Sequence, residues 1–218
     1  MDLLERLLAI DVSALSDADK TLPVVDPAVH AMVPDVRMAG SAFTVVAEDD
    51  HLPVMTALAE AAPGDVLVIA TGGGTRAVFG ELLATEAKRR GLAGIVCDGL
   101  CRDLRGLRSI GLPVFARGTS PRSGTTVSRA PRGREIVFGG VEVRPGAIVF
   151  GDDDGLLIAG EGEIAAALGT AEAIGRAERA ILAALARDEP LHGLTNHDEH
   201  VAALDRGEQS RLAFRVDG

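Results

Sequence analysis

The sequence predicts an α/β protein, and three observations carry that prediction. Between residues 65 and 104, two short apolar runs at 65–70 and 94–98 alternate with helical stretches. From about residue 117, short β-type runs alternate with turn residues. Residues 161–186 then repeat apolar side chains at helical spacing over a single long stretch.

Taken in order, residues 3–10 read as a short amphipathic helix, and Ser16 as the N-cap of a second. Residues 21–37 hold three prolines and read as an irregular or edge segment. Ser41 to Ala47 is rich in β-formers and predicts a strand; Pro53 to Ala61 predicts a helix that starts on a proline. Pro63-Gly64 turns the chain into the strand at 65–70, and Gly72-Gly73-Gly74 turns it again. Val78, Phe79, Leu82, Leu83 and Ala87 predict a helix over 78–90, stopped by Gly91. A strand at 94–98 ends in an Asp98-Gly99 turn, Arg102-Asp103 opens another helix, and Pro113 to Ala116 is a short strand. The unit so formed leaves Glu81, Asp98, Arg102 and Asp103 at or near element ends, where α/β proteins place their chemistry. Beyond it the β-type runs are TTVSR, REIVF, VEVRPG, AIVF and GLLIA. The helix from Glu161 carries Ile164, Leu168, Ala171, Ile174, Ile181, Leu182 and Leu185 on its apolar stripe. The expected organisation is one domain over 1–186, followed by a polar tail or inter-subunit arm over 187–218.

Composition narrows the function. The 218-residue chain carries a formal charge of −10 and no basic run, so a nucleic-acid partner is not expected. Cys97 and Cys101 are the only cysteines, which suits a reducing compartment; they read as a buried thiol and a loop thiol. The N-terminal segment is acidic and amphipathic, unlike a signal peptide, and no stretch is apolar enough to span a membrane. The expectation is a cytoplasmic protein with no membrane partner.

Several segments could carry chemistry. Gly72-x-Gly74-x-x-Ala77, with Asp98 ending the next strand, has the outline of a dinucleotide-binding fingerprint, although the chain turns β-rich where such a domain would continue α/β. The helix start near Gly80-Glu81-Leu82-Leu83 could present free N–H groups to an anion, or Gly80 could merely relieve packing. Arg102 offers a planar fork for a carboxylate and Asp103 a hard oxygen for Mg²⁺ or Mn²⁺; the same pair also fits an exposed surface. Asp152, Asp154 and Gly155 fail the spacing of a calcium loop and read as a hairpin turn. His197 and His200, flanking Asp198 and Glu199, could hold a metal but read more simply as a solvated tail.

Together, Gly80-Glu81-Leu82-Leu83, GIVCDG, Arg102-Asp103 and Pro113-Val114-Phe115 resemble the RraA-like family. The likeness extends through Ser16-Asp17-Ala18, GSAFTVVAEDD, APGDVLVIA and VRPGAIVFGDDDGLLIAG. That family contains class II pyruvate aldolases acting on 4-hydroxy-4-methyl-2-oxoglutarate, and also non-catalytic regulators of ribonuclease E. Its aldolases carry an acidic residue, twenty intervening residues, then Arg-Asp; here residues 82–101 separate Glu81 from Arg102, with Glu where Asp is common. The regulators lack the acidic residue after the arginine, which this chain keeps as Asp103.

The resemblance implies a swivelling three-layer β/β/α fold and a homotrimer or homohexamer with sites between subunits. It implies that the backbone of Gly80, Glu81, Leu82 and Leu83 holds a pyruvate carboxylate, that Arg102 contacts the carboxylate or keto oxygen, and that Asp103 is the direct ligand of Mg²⁺ or Mn²⁺. A metal-bound or Glu81-held water is then the expected base. The implied reaction is retro-aldol cleavage of a 4-hydroxy-2-oxo acid to pyruvate, with oxaloacetate decarboxylation through the same enolate. The family's sites also receive an acidic residue from the next subunit's C-terminal region, for which Asp198 and Glu199 are the candidates here.

Overall fold

Residues 2–215 are described by the structure, a computed structural model. In chain order the elements are α1 (Leu3–Leu7), α2 (Val12–Ala18), β1 (His30–Ala31), β2 (Met38–Val46), α3 (Leu52–Glu60), β3 (Asp65–Ala70), β4 (Ala77–Phe79), α4 (Glu81–Arg89), β5 (Gly94–Cys97) and β6 (Leu100–Cys101). They continue with α5 (Leu104–Ile110), β7 (Val114–Ala116), β8 (Gly118–Thr119), β9 (Ile136–Phe138), β10 (Val141–Val143), β11 (Ile148–Asp152), β12 (Gly155–Ala159), α6 (Glu161–Leu185) and α7 (His197–Asp205), with a 3₁₀ turn at Leu191–Leu194.

The apolar run of β3 has no polar face because both of its faces are buried. Leu67 and Ile69 point into a core made with Val54, Ala57 and Leu58 of α3, Ala84 and Ala87 of α4, and Leu107 of α5. Val66, Val68 and Ala70 point the other way, against Ile136, Phe138, Val141 and Val143 of the β9–β10 hairpin. Helices, central sheet and hairpin are the three layers. The central sheet has seven strands in the order β1-β7-β5-β3-β2-β11-β12. Strands β7, β5, β3 and β2 run parallel, and the flanking strands are antiparallel. A third core, with Leu7, Leu15, Ile164 and Leu168, packs α1, α2 and α6 over β11 and β12. Arg6 reaches both carboxylate oxygens of Glu172, at 2.7 and 2.9 Å, and ties α1 to α6.

Several sequence expectations are corrected. Val78 and Phe79 lie in a strand, not a helix; α4 begins only at Glu81. Phe79 pairs with Cys101 and its carbonyl accepts the N–H of Arg102 at 3.1 Å, so the residues the periodicity placed in a first helical turn belong to a sheet. Cys101 therefore lies in β6 and is buried, not on a loop. Burial pushes its thiol up to about 11, and Cys97 is pushed up further by the same cause. Ser16 falls inside α2, which starts at Val12; the Val12 N–H is taken at 2.9 Å by Asp152, 140 positions away, so a distant carboxylate does what the local serine was expected to do. Asp152 pairs with Gly155 across the β11–β12 turn, as the hairpin reading requires. The buried stripe of α6 continues to Ile181 and Ala184, but Leu182 and Leu185, expected on it, are exposed.

The bends that follow β3, β5 and β7 create a second sheet. Each of these strands leaves the central sheet and resumes as β4, β6 or β8, which pair in parallel in that lateral order. Asp98 fixes the middle bend: its Oδ1 accepts the N–H and the hydroxyl of Thr71, at 2.6 and 3.0 Å. It serves the fold and does not line the cleft described below.

The run TTVSR makes no strand beyond a single bridge from Thr125 to Asp50. It is instead held by Asp50, which is 2% exposed. Asp50 accepts from Leu52 N, Thr125 Oγ1, Val127 N and Ser128 N, at 2.8, 2.7, 2.7 and 2.9 Å. Burial alone would raise its carboxyl; the hydroxyl of Thr125 and the three backbone donors outweigh that and hold it at about 2. A carboxyl lowered on folding contributes stability above its unfolded value, near 4, that is lost as pH falls through about 2. The difference corresponds to roughly 2–3 kcal/mol. The unfolding free energies of the wild type and Asp50→Asn, measured in urea, should therefore converge by about that amount as pH is taken from 6 to below 2.

Candidate active site

Two chain segments meet where β4 and β6 end side by side. After β4, Gly80 is extended and α4 begins, with its amide N–H groups facing outward. After β6 come Arg102 and Asp103. Asp103 adopts the left-handed conformation (φ 58°, ψ 42°), which aspartate tolerates better than most residues, and precedes α5. That conformation turns its carboxylate back toward α4, where Oδ2 accepts the N–H of Glu81 at 3.3 Å. The same oxygen lies 3.4 Å from Arg102 Nε. Gly80 makes room for both: a Cβ there would stand 2.5 Å from Asp103 Oδ2 and 2.7 Å from Arg102 Cγ. Among the described residues, the N–H groups of Leu82 and Leu83 have no acceptor within the protein.

These groups border an open cleft that Ala77, Val78 and Phe79 also line. Gly80, Leu82, Leu83, Arg102 and Asp103 form one wall, and His51, Met55 and Ser123 also line it. The fold therefore brings together Gly80, Leu82, Leu83, Arg102 and Asp103. Glu81 is divided: its N–H faces Asp103, but its carboxylate lies over Gly106 of α5, in a neighbouring depression that it shares with Asp103 and Ser109. The sequence reading did not single out His51, Met55 or Ser123. The only local signal was a histidine immediately before a proline-bearing helix start.

Asp103 is the group that fits a divalent cation. Its second oxygen has no protein donor among the described residues, and it borders an open cleft. No group of three or more His, Cys, Asp or Glu able to hold a metal occurs among the described residues. A single hard oxygen ligand suits a cation such as Mg²⁺ that keeps most of its water.

The other candidates resolve differently. The turn at Gly72-Gly73-Gly74 leads into β4, not into a helix, and Asp49 closes it by accepting the Arg76 N–H at 2.7 Å. A strand, β4, follows those glycines where the dinucleotide fingerprint requires a helix N-terminus, which contradicts that reading. His197 contacts Asp198 at 2.9 Å, His200 contacts Ser210 at 2.9 Å, and Glu199 pairs with Arg215. The tail folds back on itself: Asn196 accepts from Ala213 N and donates to Arg211 O. Residues 216–218 of the expected tail lie outside the described residues.

A family model described as RraA-like, Aldolase/RraA, matches residues 12–158. The chain belongs to the RraA-like family. A protein of Halalkalibacterium halodurans, provisionally named 4-hydroxy-4-methyl-2-oxoglutarate aldolase, is 35% identical over 165 residues, 75% of this chain and 79% of that one. An uncharacterised protein from Pseudomonas syringae pv. tomato shares the fold at a TM-score of 0.77 and 24% identity, over 88% of this chain and 95% of that one. An RNA-processing inhibitor RraA from Thermus thermophilis is 30% identical with a TM-score of 0.63, over 67% of this chain and 90% of that one. The RraA-like fold is thus shown, and this RraA-like chain is similar to proteins whose names are those of lyases. No helix among the described residues is long and apolar enough to cross a membrane.

Proposed function

We propose that this RraA-like chain is a divalent-metal-dependent lyase. It cleaves 4-hydroxy-2-oxo acids of the 4-hydroxy-4-methyl-2-oxoglutarate type to pyruvate, and decarboxylates oxaloacetate through the same enolate. The observation that carries this reading is the meeting of Arg102 and Asp103 with the start of α4 around a glycine that leaves them room.

Breaking the bond β to a ketone leaves an enolate, whose charge must be met. The free N–H groups of Leu82 and Leu83, at a helix N-terminus, would hold the substrate carboxylate. The Arg102 fork would face the keto oxygen, where negative charge develops. Asp103 would hold the Mg²⁺ or Mn²⁺, and the bound ion would supply further positive charge at that oxygen. Among the described residues no lysine lines the cleft, and this reading calls on no Schiff base. Assembly as a homotrimer or homohexamer is what the family resemblance implies, and exposed apolar side chains such as Leu82, Leu204 and Phe214 would be available to its contacts.

The test is pyruvate release from 4-hydroxy-4-methyl-2-oxoglutarate and from oxaloacetate after EDTA treatment, then with Mg²⁺ or Mn²⁺ restored. Turnover should vanish with the chelator and return in a saturable way. The likeness to the Thermus RNA-processing inhibitor supports a second reading, a non-catalytic regulator of ribonuclease E activity. Absence of turnover with any divalent cation, together with inhibition of ribonuclease E, would favour it.

A further inference from the structure

Retro-aldol cleavage needs a base that charge stabilisation does not supply: the proton on the C4 hydroxyl must leave as the C3–C4 bond breaks. Among the described residues, three ionisable side chains line the cleft, His51, Arg102 and Asp103. Arginine does not give up its proton in proteins. Asp103 already accepts the Glu81 N–H with one oxygen, and the other is the one suited to a cation. The Glu81 carboxylate, which the resemblance implied would hold a water as the base, lies over Gly106, in the neighbouring depression.

His51 is free for the task, and its backbone is anchored. Its backbone N–H donates to Thr125 O at 3.0 Å, and the residue before it is Asp50 with its four hydrogen bonds. The His51 side chain does not cap α3, and its ring has no hydrogen-bond or ion-pair partner among the described residues. His51 thus stands in the same cleft as Arg102 and Asp103 with its ring nitrogens uncommitted among the described residues, which leaves one of them available to take a proton.

We infer that His51 is the general base of the retro-aldol step, an inference that rests on the lyase reading above. The neutral imidazole takes the proton from O4, and the O4–H electron pair forms the C4 carbonyl. The C3–C4 bond breaks, and its electron pair becomes the enolate across C3, C2 and the keto oxygen. C3 then takes a proton back, giving pyruvate and restoring the imidazole. Oxaloacetate has no hydroxyl proton to remove, since its C3–C4 bond breaks with loss of CO₂, so the two reactions differ in their need for this base.

The experiment measures kcat/KM for 4-hydroxy-4-methyl-2-oxoglutarate and for oxaloacetate in the wild type, His51→Gln and His51→Ala, each with saturating Mn²⁺ and each checked for unchanged thermal unfolding. The ratio of aldol cleavage to decarboxylation should fall roughly 10²–10⁴-fold in both variants, and added imidazole should restore part of the aldol rate in His51→Ala. An unchanged ratio, or an equal fall in both reactions without imidazole rescue, overturns the assignment of His51 while leaving the lyase reading intact. A wild type that releases pyruvate from neither acid overturns both.

Discussion

Replacing Arg102 by lysine should lower kcat/KM for pyruvate release by about 10²–10³-fold, the loss seen when one preorganised donor to a developing oxyanion is removed. The reason is geometric. Arg102 Nε stands 3.4 Å from Asp103 Oδ2, so one edge of the guanidinium faces Asp103 while its remaining donors are left for a substrate oxygen. A lysine ammonium is a point charge on a flexible stem and cannot present a planar fork to both partners. Stability should change little, because the Arg102 side chain is 39% exposed and its partner Asp103 is 43% exposed. Steady-state kinetics alongside thermal unfolding separate the two effects. Near-normal catalysis in Arg102→Lys would refute the clamp.

Gly80→Ala should be nearly as damaging to activity, although neither the glycine nor the added methyl is reactive. Gly80 is extended, at φ −163°, so alanine meets no backbone penalty there. The penalty is contact: the new Cβ would stand 2.5 Å from Asp103 Oδ2 and 2.7 Å from Arg102 Cγ. Neither neighbour yields easily. The Asp103 carboxylate hangs from a left-handed backbone and is bonded to Glu81 N, and Cγ lies near the root of the Arg102 side chain. Both functional groups must move. Displacing catalytic groups by about 1 Å costs on the order of 10²-fold in rate, whereas crowding of this kind costs about 1–3 kcal/mol of stability. The expected signature is a folded protein with kcat/KM reduced about 10²-fold. A fully active Gly80→Ala would mean that Arg102 and Asp103 do not work from the positions described.

What the sequence made legible follows from how far each feature reaches. Strand β3 was readable because burial on both faces writes a continuous apolar run into six residues. The α6 helix was readable because 25 residues repeat its period many times. Strands β4 and β6, of three and two residues, are too short to show any period, and Val78 and Phe79 were drawn into the neighbouring helix. The start of α2 lies ahead of Ser16 because Asp152, 140 positions away at the β11–β12 turn, holds the Val12 N–H.

The candidate site divides in the same way. Gly80, Arg102 and Asp103 could be grouped from motif and spacing. The direction of the Glu81 carboxylate could not, because it depends on the space above Gly106 on another helix. His51 stayed hidden because its one local mark, a position just before a proline-bearing helix start, says nothing of the β4 and β6 ends it faces, which are 26 or more positions further along the chain.

The most direct measurement is the broadening of backbone amide signals in ¹⁵N-labelled protein as paramagnetic Mn²⁺ is added in the presence of pyruvate. A cation seated on Asp103 beside the amides that grip the keto acid should first erase the signals of Gly80, Leu82, Leu83, Arg102 and Asp103, and Asp103→Asn should abolish that pattern. Broadening centred instead on the acidic turn at Asp152, Asp153 and Asp154, with the signals around Gly80 untouched, would contradict the account.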